Sequence, residues 1–412
     1  MEFIADFHVH SKYSRATSKD MDVENISRWA GLKGITLMGT GDFTHHLWLE
    51  ELKNKLEPED NGLFIYKGIH FILTAEISSI YSKGGRGYRI HNLIFAPSFK
   101  TVDKINGVLG GIGNIASDGR PILGLDAEEL ARIVFDIDEN CMIVPGHIWT
   151  PWFSLFGSMS GFDKIEDCFE KQAEKIFALE TGLSSDPSMN WRLSGLDRFS
   201  LVSNSDSHSP QKIGREANVF DCQISYGAIR DALKNKDKSK FLYTIEFFPE
   251  EGKYHYDGHR ACGIRFSPKQ TKASNNKCPK CGKSVTVGVM NRVEQLADRP
   301  EGFIPDKSIP FKRVVPLDEI IAESKGLGRA SKAVGQEYHN IILKFKTEHN
   351  VLLKATEKEI KQNISPRIAE GILRMRSGKV KLLAGYDGEY GIVSVFDDDE
   401  KAGKGEEQLS LF

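Results

Sequence analysis

The chain has 412 residues, 40% of them hydrophobic, and a formal net charge of −2 at pH 7. That length suits two or three domains with ordinary buried cores. No apolar stretch of membrane length and no signal-peptide pattern at Met1 are found, so a cytoplasmic protein without a membrane partner is expected. The near-neutral total hides an asymmetry. Residues 1–239 hold 26 Lys and Arg against 33 Asp and Glu, residues 240–395 hold 27 against 18, and residues 396–412 hold 2 against 6. The basic stretch suits a polyanion. Cys141, Cys168 and Cys222 stand alone and read as buried free thiols of a reducing compartment.

In chain order, the first informative element is Asp6-Phe7-His8-Val9-His10. Side chains two apart on an extended strand project the same way, so His8 and His10 point together. The same holds for Asp206 and His208 in Asp206-Ser207-His208. Two imidazoles from one strand end, and a carboxylate with an imidazole from another, form a cage for divalent metals. Further candidates follow apolar runs. Gly34–Gly41 leads into Asp42 and His45, Ile69–Ala75 into Glu76, Met142–Gly146 into His147, and Phe199–Ser205 into Asp206, while His91 opens Asn92–Phe95. Short apolar runs alternating with amphipathic stretches predict repeated βα units. Sites in such folds gather at the C-terminal ends of the strands. His46 and His70 fall outside this set. His46 is expected in solvent, and His70 is expected to point away.

After Phe247-Phe248-Pro249 the composition changes. His259-x2-Cys262 and Cys278-x2-Cys281 have the spacing of a closed tetrahedral zinc site, in a segment too short and polar to hold a core. His255 is an alternative fourth ligand. Lys280 and Lys283 on this ribbon are candidates for DNA phosphates. Val285–Val289 reads as a strand. Leu317–Ser324 and Ser331–Lys346 read as helices broken by Gly326-Leu327-Gly328-Arg329, and Ser365–Leu373 as a capped helix with proline first. Arg329 and Lys332, where a Gly-rich turn opens a helix, offer a phosphate site; a plain helix–helix turn is the other reading. Lys379–Leu383 and Tyr390–Val395 are expected to pair as a hairpin. Residues 396–412 read as a charged disordered tether ending in Gln408-Leu409-Ser410-Leu411-Phe412. Its apolar residues have no folding role there and fit a partner's pocket. The peptide is similar to the motif by which bacterial repair and replication proteins grip the DNA sliding clamp, with Gln408, Leu409, Leu411 and Phe412 as contacts.

Over residues 1–240 the His/Asp/Glu pattern resembles the polymerase and histidinol phosphatase (PHP) superfamily. The resemblance implies a distorted β/α barrel holding two or three divalent ions (zinc, manganese or magnesium) that hydrolyse phosphoesters. By motif position it implies His8, His10, Glu76, His91, His147, Asp206 and His208 as ligands. Where that family has Asp-His, this chain has Asp42-Phe43, and His45 is the candidate for the missing place.

The whole chain resembles the endonuclease Q family, through Gly39–His45, Pro145–Trp152, Glu180–Asp186 and the His/Cys ribbon. The arrangement expected is a PHP domain over 1–240, a zinc ribbon with one structural zinc over 241–290, a basic α/β DNA-binding region over 291–395, and a tail over 396–412. The resemblance implies an endonuclease that nicks single- or double-stranded DNA on the 5′ side of a deaminated base (hypoxanthine, uracil, xanthine) or an abasic site. Testing a base requires flipping it out. Trp149, Trp152, Phe153 and Trp191 are candidates to stack on it, and Glu180 and Ser185 to bond its edge. A small-molecule phosphatase of histidinol-phosphate type and a non-catalytic DNA-binding accessory are the alternatives.

Overall fold

The computed structural model describes residues 2–397. β1 (Glu2–Asp6), β2 (Leu37–Gly39) and β3 (Ile69–Lys83) lie side by side and parallel. β4 (Arg86–Ala96) returns antiparallel along β3, and β5 (Met142–Pro145) pairs antiparallel with β4. β6 (Ala178–Glu180) and β7 (Ser200–Val202) form a parallel pair. Two joints close these strands into a ring. Ile148 N donates to Glu180 O, linking the end of β5 to β6. Val9 bridges Ser207, linking the extensions of β1 and β7.

Alternation along the strands sorts the side chains. Phe7, Leu37, Ile72, Leu93, Val144, Ala178 and Val202 share one buried cluster. Their neighbours Met38, Phe71, Ile94, Ile143, Leu179 and Leu201 belong to another, with residues of the surrounding helices. Those helices start where the backbone is capped. Asp22 accepts from Asn25 N at the head of Val23–Lys33, which ends on Gly34 at φ 88°; Asp126 accepts from Glu129 N at the head of Ala127–Ile137.

The expected barrel is therefore present, with one departure from a parallel βα repeat. β3 and β4 are a long hairpin turned by Gly84 and Gly85, both at positive φ. Ile77, Ile80 and Tyr81 carry β3 on past Glu76 because they are strong strand formers. Glu76 and His91 consequently sit in mid-strand rather than at strand ends.

β8 (Ala217–Asp221) pairs antiparallel with β1, β9 (Phe241–Glu246) antiparallel with β8, and β10 (Phe311–Arg313) parallel with β9. One sheet thus includes strands from before and after the ribbon. The expected strand Val285–Val289 is not formed. Thr286 makes only an isolated bridge to Gly258, and Val289 opens the helix Val289–Leu296, burying Val289 and Val293 one turn apart. Helices occupy Leu317–Lys325, Lys332–Phe345 and Pro366–Arg376, the last with its proline in the first turn. Lys381–Leu383 pairs antiparallel with Ile392–Ser394. The peptide Gln408–Phe412 lies outside the described residues. Among the described residues no helix is long and apolar enough to cross a membrane. Cys141 and Cys168 are buried and Cys222 partly so; all three are free, and burial pushes Cys141 up to about 12.

Candidate active site

Three groups of ligating atoms meet at one end of the ring: His8, His10 and Glu76; His10, Asp206 and His208; Glu76, His91 and His147. Within each group the atoms lie within 4.8 Å of one another. Glu76 sits between two of them. Its Oε1 is 2.6 Å from His91 Nδ1 and 3.1 Å from His147 Nε2, while Oε2 is 3.3 Å from His10 Nε2. Asp206 Oδ1 lies 3.1 Å from His10 Nε2. His8 Nε2, His10 Nε2 and Asp206 Oδ1 are buried without a hydrogen-bond partner. His91 Nδ1 faces His147 Nε2 at 3.1 Å. Lone pairs converging in a buried space fit cations, and a donor set of imidazole nitrogen and carboxylate oxygen fits divalent ions. Burial alone would raise Glu76 and Asp206. For Glu76 the charges of His91, Arg120 and His8, and for Asp206 those of His8 and His10, outweigh it and hold both carboxyls well below the usual range.

A second layer orients these ligands. Glu180 accepts from His8 Nδ1 at 3.0 Å, from His147 N at 2.8 Å and from Asn204 Nδ2 at 2.8 Å. It is fully buried behind the site, which removes it from the base-reading set. Asp42 Oδ1 is 3.0 Å from His10 Nδ1, and its Oδ2 accepts from Ser11 N, Ser11 Oγ and Ser14 Oγ. Asp42 is a positioning residue for His10, and not a group that reaches substrate. His45 belongs to none of the three groups; its ring stacks on Tyr13 and His46. Asp42, His147 and Asp206 have φ of 49°, 30° and 46°, a conformation that costs a non-glycine residue on the order of 1–3 kcal/mol. Gly182 meets His147 so closely that a Cβ there would lie 2.5 Å from His147 Cβ. His70 binds Glu59 at 2.7 Å, away from the cluster, and His46 is exposed.

Beside the ligands lies a cavity of about 450 Å³ lined by Arg15, Arg120, His91, His147 and Asp206. A second, of about 530 Å³, is lined by Arg89, Tyr254 and His255. Thr150, Trp152, Phe153 and Ser184 line both. Of the aromatic candidates, only Trp152 and Phe153 therefore border open space next to the ligands. Trp149 is core: it is fully buried, with Nε1 donating to Asn190 Oδ1 at 2.8 Å. Trp191 packs edge-on against Phe311. Ser185 is buried and donates to Thr181 O. These three fill space under the loops. Sequence reading passed over Arg89, Arg120 and Tyr254, and weighed His255 only as a zinc ligand. The Asp118-Gly119-Arg120-Pro121 turn was the available signal for Arg120.

In the ribbon, His259, Cys262, Cys278 and Cys281 form a fourth group. His259 Nδ1 lies 3.6 Å from Cys281 Sγ. His255 stands outside it, on the wall of the second cavity, and burial pushes its pKa down to about 4. Asp257 holds the ribbon together, accepting from Gly288 N and from the side chains of Thr271 and Asn291. Lys280 and Lys283 are exposed, and Lys280 Nζ donates to Cys262 O at 2.8 Å. Lys332 is exposed at the start of its helix. Arg329 is already bound to Asp318 and Glu319, so two carboxylates occupy the guanidinium expected to meet phosphate.

Barrel and ligand set together define a metal-dependent phosphoesterase. Residues 316–379 match the MJ0043 C-terminal domain family. The chain is 35% identical over 290 residues to the uncharacterised protein MJ0043 of Methanocaldococcus jannaschii; the match takes in 66% of this chain and 35% of that protein, about a third of its length. It is 30% identical over 372 residues to YqxK of Bacillus subtilis, covering 87% of this chain and 88% of YqxK. The crystal structure of the lesion-specific endonuclease PfuEndoQ from Pyrococcus furiosus is similar at a TM-score of 0.87 and 33% identity, over 98% of both chains. A structure of endonuclease Q with a 27-mer duplex bearing an abasic lesion at its active site gives 0.86 and 33%, over 98% of this chain and 99% of that one. The chain belongs to the endonuclease Q family of metal-dependent DNA repair endonucleases.

Proposed function

We propose that this protein nicks DNA at a deaminated base or an abasic site, hydrolysing the phosphodiester on its 5′ side. The observation that carries this reading is the pair of cavities sharing the Trp152 and Phe153 wall. One borders the ligands and suits a phosphodiester. The other has aromatic walls and a volume within the ordinary range for small-molecule sites, about 300–1,000 Å³. A nucleotide flipped from a duplex spans the two, with its base against Trp152 and Tyr254. His255, kept neutral by burial, has imidazole nitrogens suited to a base edge.

The residues proposed to hold two or three divalent ions, zinc, manganese or magnesium, are His8, His10, Glu76, His91, His147, Asp206 and His208. Such ions, when bound, polarise a phosphoryl oxygen and lower the pKa of a water. Glu180 and Asp42 keep the His8 and His10 rings turned toward the site. A new P–O bond forms to the water oxygen, one ester P–O bond breaks, and the departing oxygen gains a proton. The ribbon is proposed to hold one structural zinc through His259, Cys262, Cys278 and Cys281. Lys280, Lys283 and Lys332 remain the surface lysines proposed for DNA phosphates. The protein is proposed to work in the cytoplasm on the nucleoid, with Gln408–Phe412 gripping the sliding clamp.

The test is nicking of end-labelled duplexes carrying one uracil, hypoxanthine or abasic site, beside an undamaged duplex and a small phosphomonoester. Cleavage confined to lesion strands, lost in Asp206→Ala while DNA affinity persists, is expected. Hydrolysis of the phosphomonoester alone would replace this reading with a small-molecule phosphatase.

A further inference from the structure

The loop between the helix Phe99–Ile112 and the segment Ile122–Leu123 delivers Arg120 to the ligand cluster. Arg120 Nη1 lies 3.3 Å from Glu76 Oε2, the oxygen that faces His10. The side chain lines the same cavity as His91, His147 and Asp206.

The loop is fastened on both sides of this residue. Gly119 N donates to Tyr13 O at 3.2 Å, Thr44 Oγ1 donates to Gly119 O at 3.3 Å, and Ser78 N donates to Pro121 O at 3.0 Å. Asp118 Oδ1 accepts from Arg15 N and Arg120 N. The backbone at Gly119 is so close to Asp42 that a Cβ would lie 2.3 Å from Asp42 Oδ2 and 2.4 Å from Ser14 Oγ. The carboxylate that orients His10 thus also sets the seat of the arginine loop.

A guanidinium has five N–H donors. Two arginines with structural roles each make three hydrogen bonds: Arg299 binds Trp191 O and both oxygens of Asp197, and Arg292 binds Phe156 O, Phe162 O and Asp163. Among the described residues the Arg120 guanidinium makes one side-chain hydrogen bond, at 3.3 Å to Glu76, and it lines the cavity. The buried Glu76 carboxylate accounts for one of its donors. A phosphate would engage the others, because its non-bridging oxygens carry the charge that builds as water attacks, and a planar fork matches them.

We propose that Arg120 is a catalytic residue that binds the non-bridging oxygens of the scissile phosphodiester, seated by Gly119. This rests on the site cleaving phosphodiesters, as proposed above. Arg120 stays protonated throughout; the water's proton and the leaving oxygen's proton pass elsewhere.

The experiment compares wild type, Arg120→Ala, Arg120→Lys and Gly119→Ala under single turnover on a uracil or abasic duplex. Metal content and DNA affinity in chelator are measured alongside. For Arg120→Ala, a fall in rate of about 10²–10³ is expected, with metal content and affinity near wild type and partial recovery on adding guanidinium ion. Arg120→Lys should be intermediate, and Gly119→Ala, whose Cβ would press on the Asp42 carboxylate behind His10, should lose both rate and metal. A rate for Arg120→Ala within a few-fold of wild type would overturn the proposal. So would a parallel loss of metal in both Arg120 variants, which would make Arg120 a partner of Glu76 only. Wild-type failure on every DNA substrate would strike the DNA reading instead; the same variant ratios would then be read on bis(p-nitrophenyl) phosphate.

Discussion

Replacing Glu180 separates folding from metal affinity. Its two oxygens serve three buried donors: His8 Nδ1, His147 N and Asn204 Nδ2. Glu180→Ala strands all three. At about 1–3 kcal/mol for each unpaired buried group, the cost is roughly 3–9 kcal/mol, comparable with a typical whole stability of about 5–15 kcal/mol. That variant should fold poorly. Glu180→Gln keeps one acceptor for His8 and Asn204 and leaves His147 N unmet, so about 1–3 kcal/mol is lost and the protein should fold. Its His8 ring is held less firmly, and metal affinity should fall about 10–100-fold. The assay strips the protein, then follows nicking against added manganese. The half-saturating concentration should rise by that factor, and the rate at saturating metal should largely return. An unchanged half-saturation with a lower rate at every concentration would refute the reasoning, because Glu180 would then act on substrate rather than through His8.

Cys278→Ser and Cys281→Ser should each lose one zinc per chain by elemental analysis and lower the melting temperature, whereas His255→Ala should keep it. Burial raises Glu246 to about 8, against hydroxyl contacts from Thr244 and Thr181 that lower it, and raises Glu216 as well. The folded state therefore keeps protons that the unfolded chain releases near the ordinary value of 4.5. The contribution of these two carboxyls to stability is fullest below that value and is lost as pH rises through about 8; Glu246→Gln should flatten that part of the pH dependence in thermal melts. Deleting Gln408–Phe412 should abolish binding to purified sliding clamp without changing nicking of short linear duplexes, each of Leu411 and Phe412 being worth roughly 1.5–3 kcal/mol if buried.

That His8, His10, Asp206 and His208 would gather was legible because the signal is local. His8 and His10 share a strand face by alternation alone, and Asp206 and His208 repeat the pattern. The ribbon spacing was equally plain. The roles of Asp42 and Glu180 were not, since both depend on partners brought from far along the chain: Ser11 and Ser14 in one case, Asn204 in the other. Trp149 and Trp191 lie near site residues in sequence and look available for stacking, but burial depends on what packs over them. The strand expected at Val285–Val289 failed for a related reason. Val285-Thr286-Val287-Gly288-Val289 alternates as a strand would, but only Thr286 bridges a neighbour, and Gly288 caps the helix into which the core draws Val289. For Arg120 the sequence offered only a turn signal, Asp118-Gly119-Arg120-Pro121; its place beside Glu76 comes from a glycine pressed against Asp42.

The joint between the extensions of β1 and β7 brings together residues almost two hundred positions apart. Phe7 N reaches Asn204 Oδ1 across a separation of 197 residues, and His10 N reaches Ser207 O. So long a loop is slow to close, so this contact should form late in folding and open early in unfolding. His8 and His10 stand on one lip of the joint, Asp206 and His208 on the other. An ion held between the lips acts as a rivet, stabilising the closed ring by mass action. Chelation should therefore raise amide exchange first at Val9 and His10 and speed unfolding more than it slows folding, so that the molecule's durability is set by the same atoms as its chemistry.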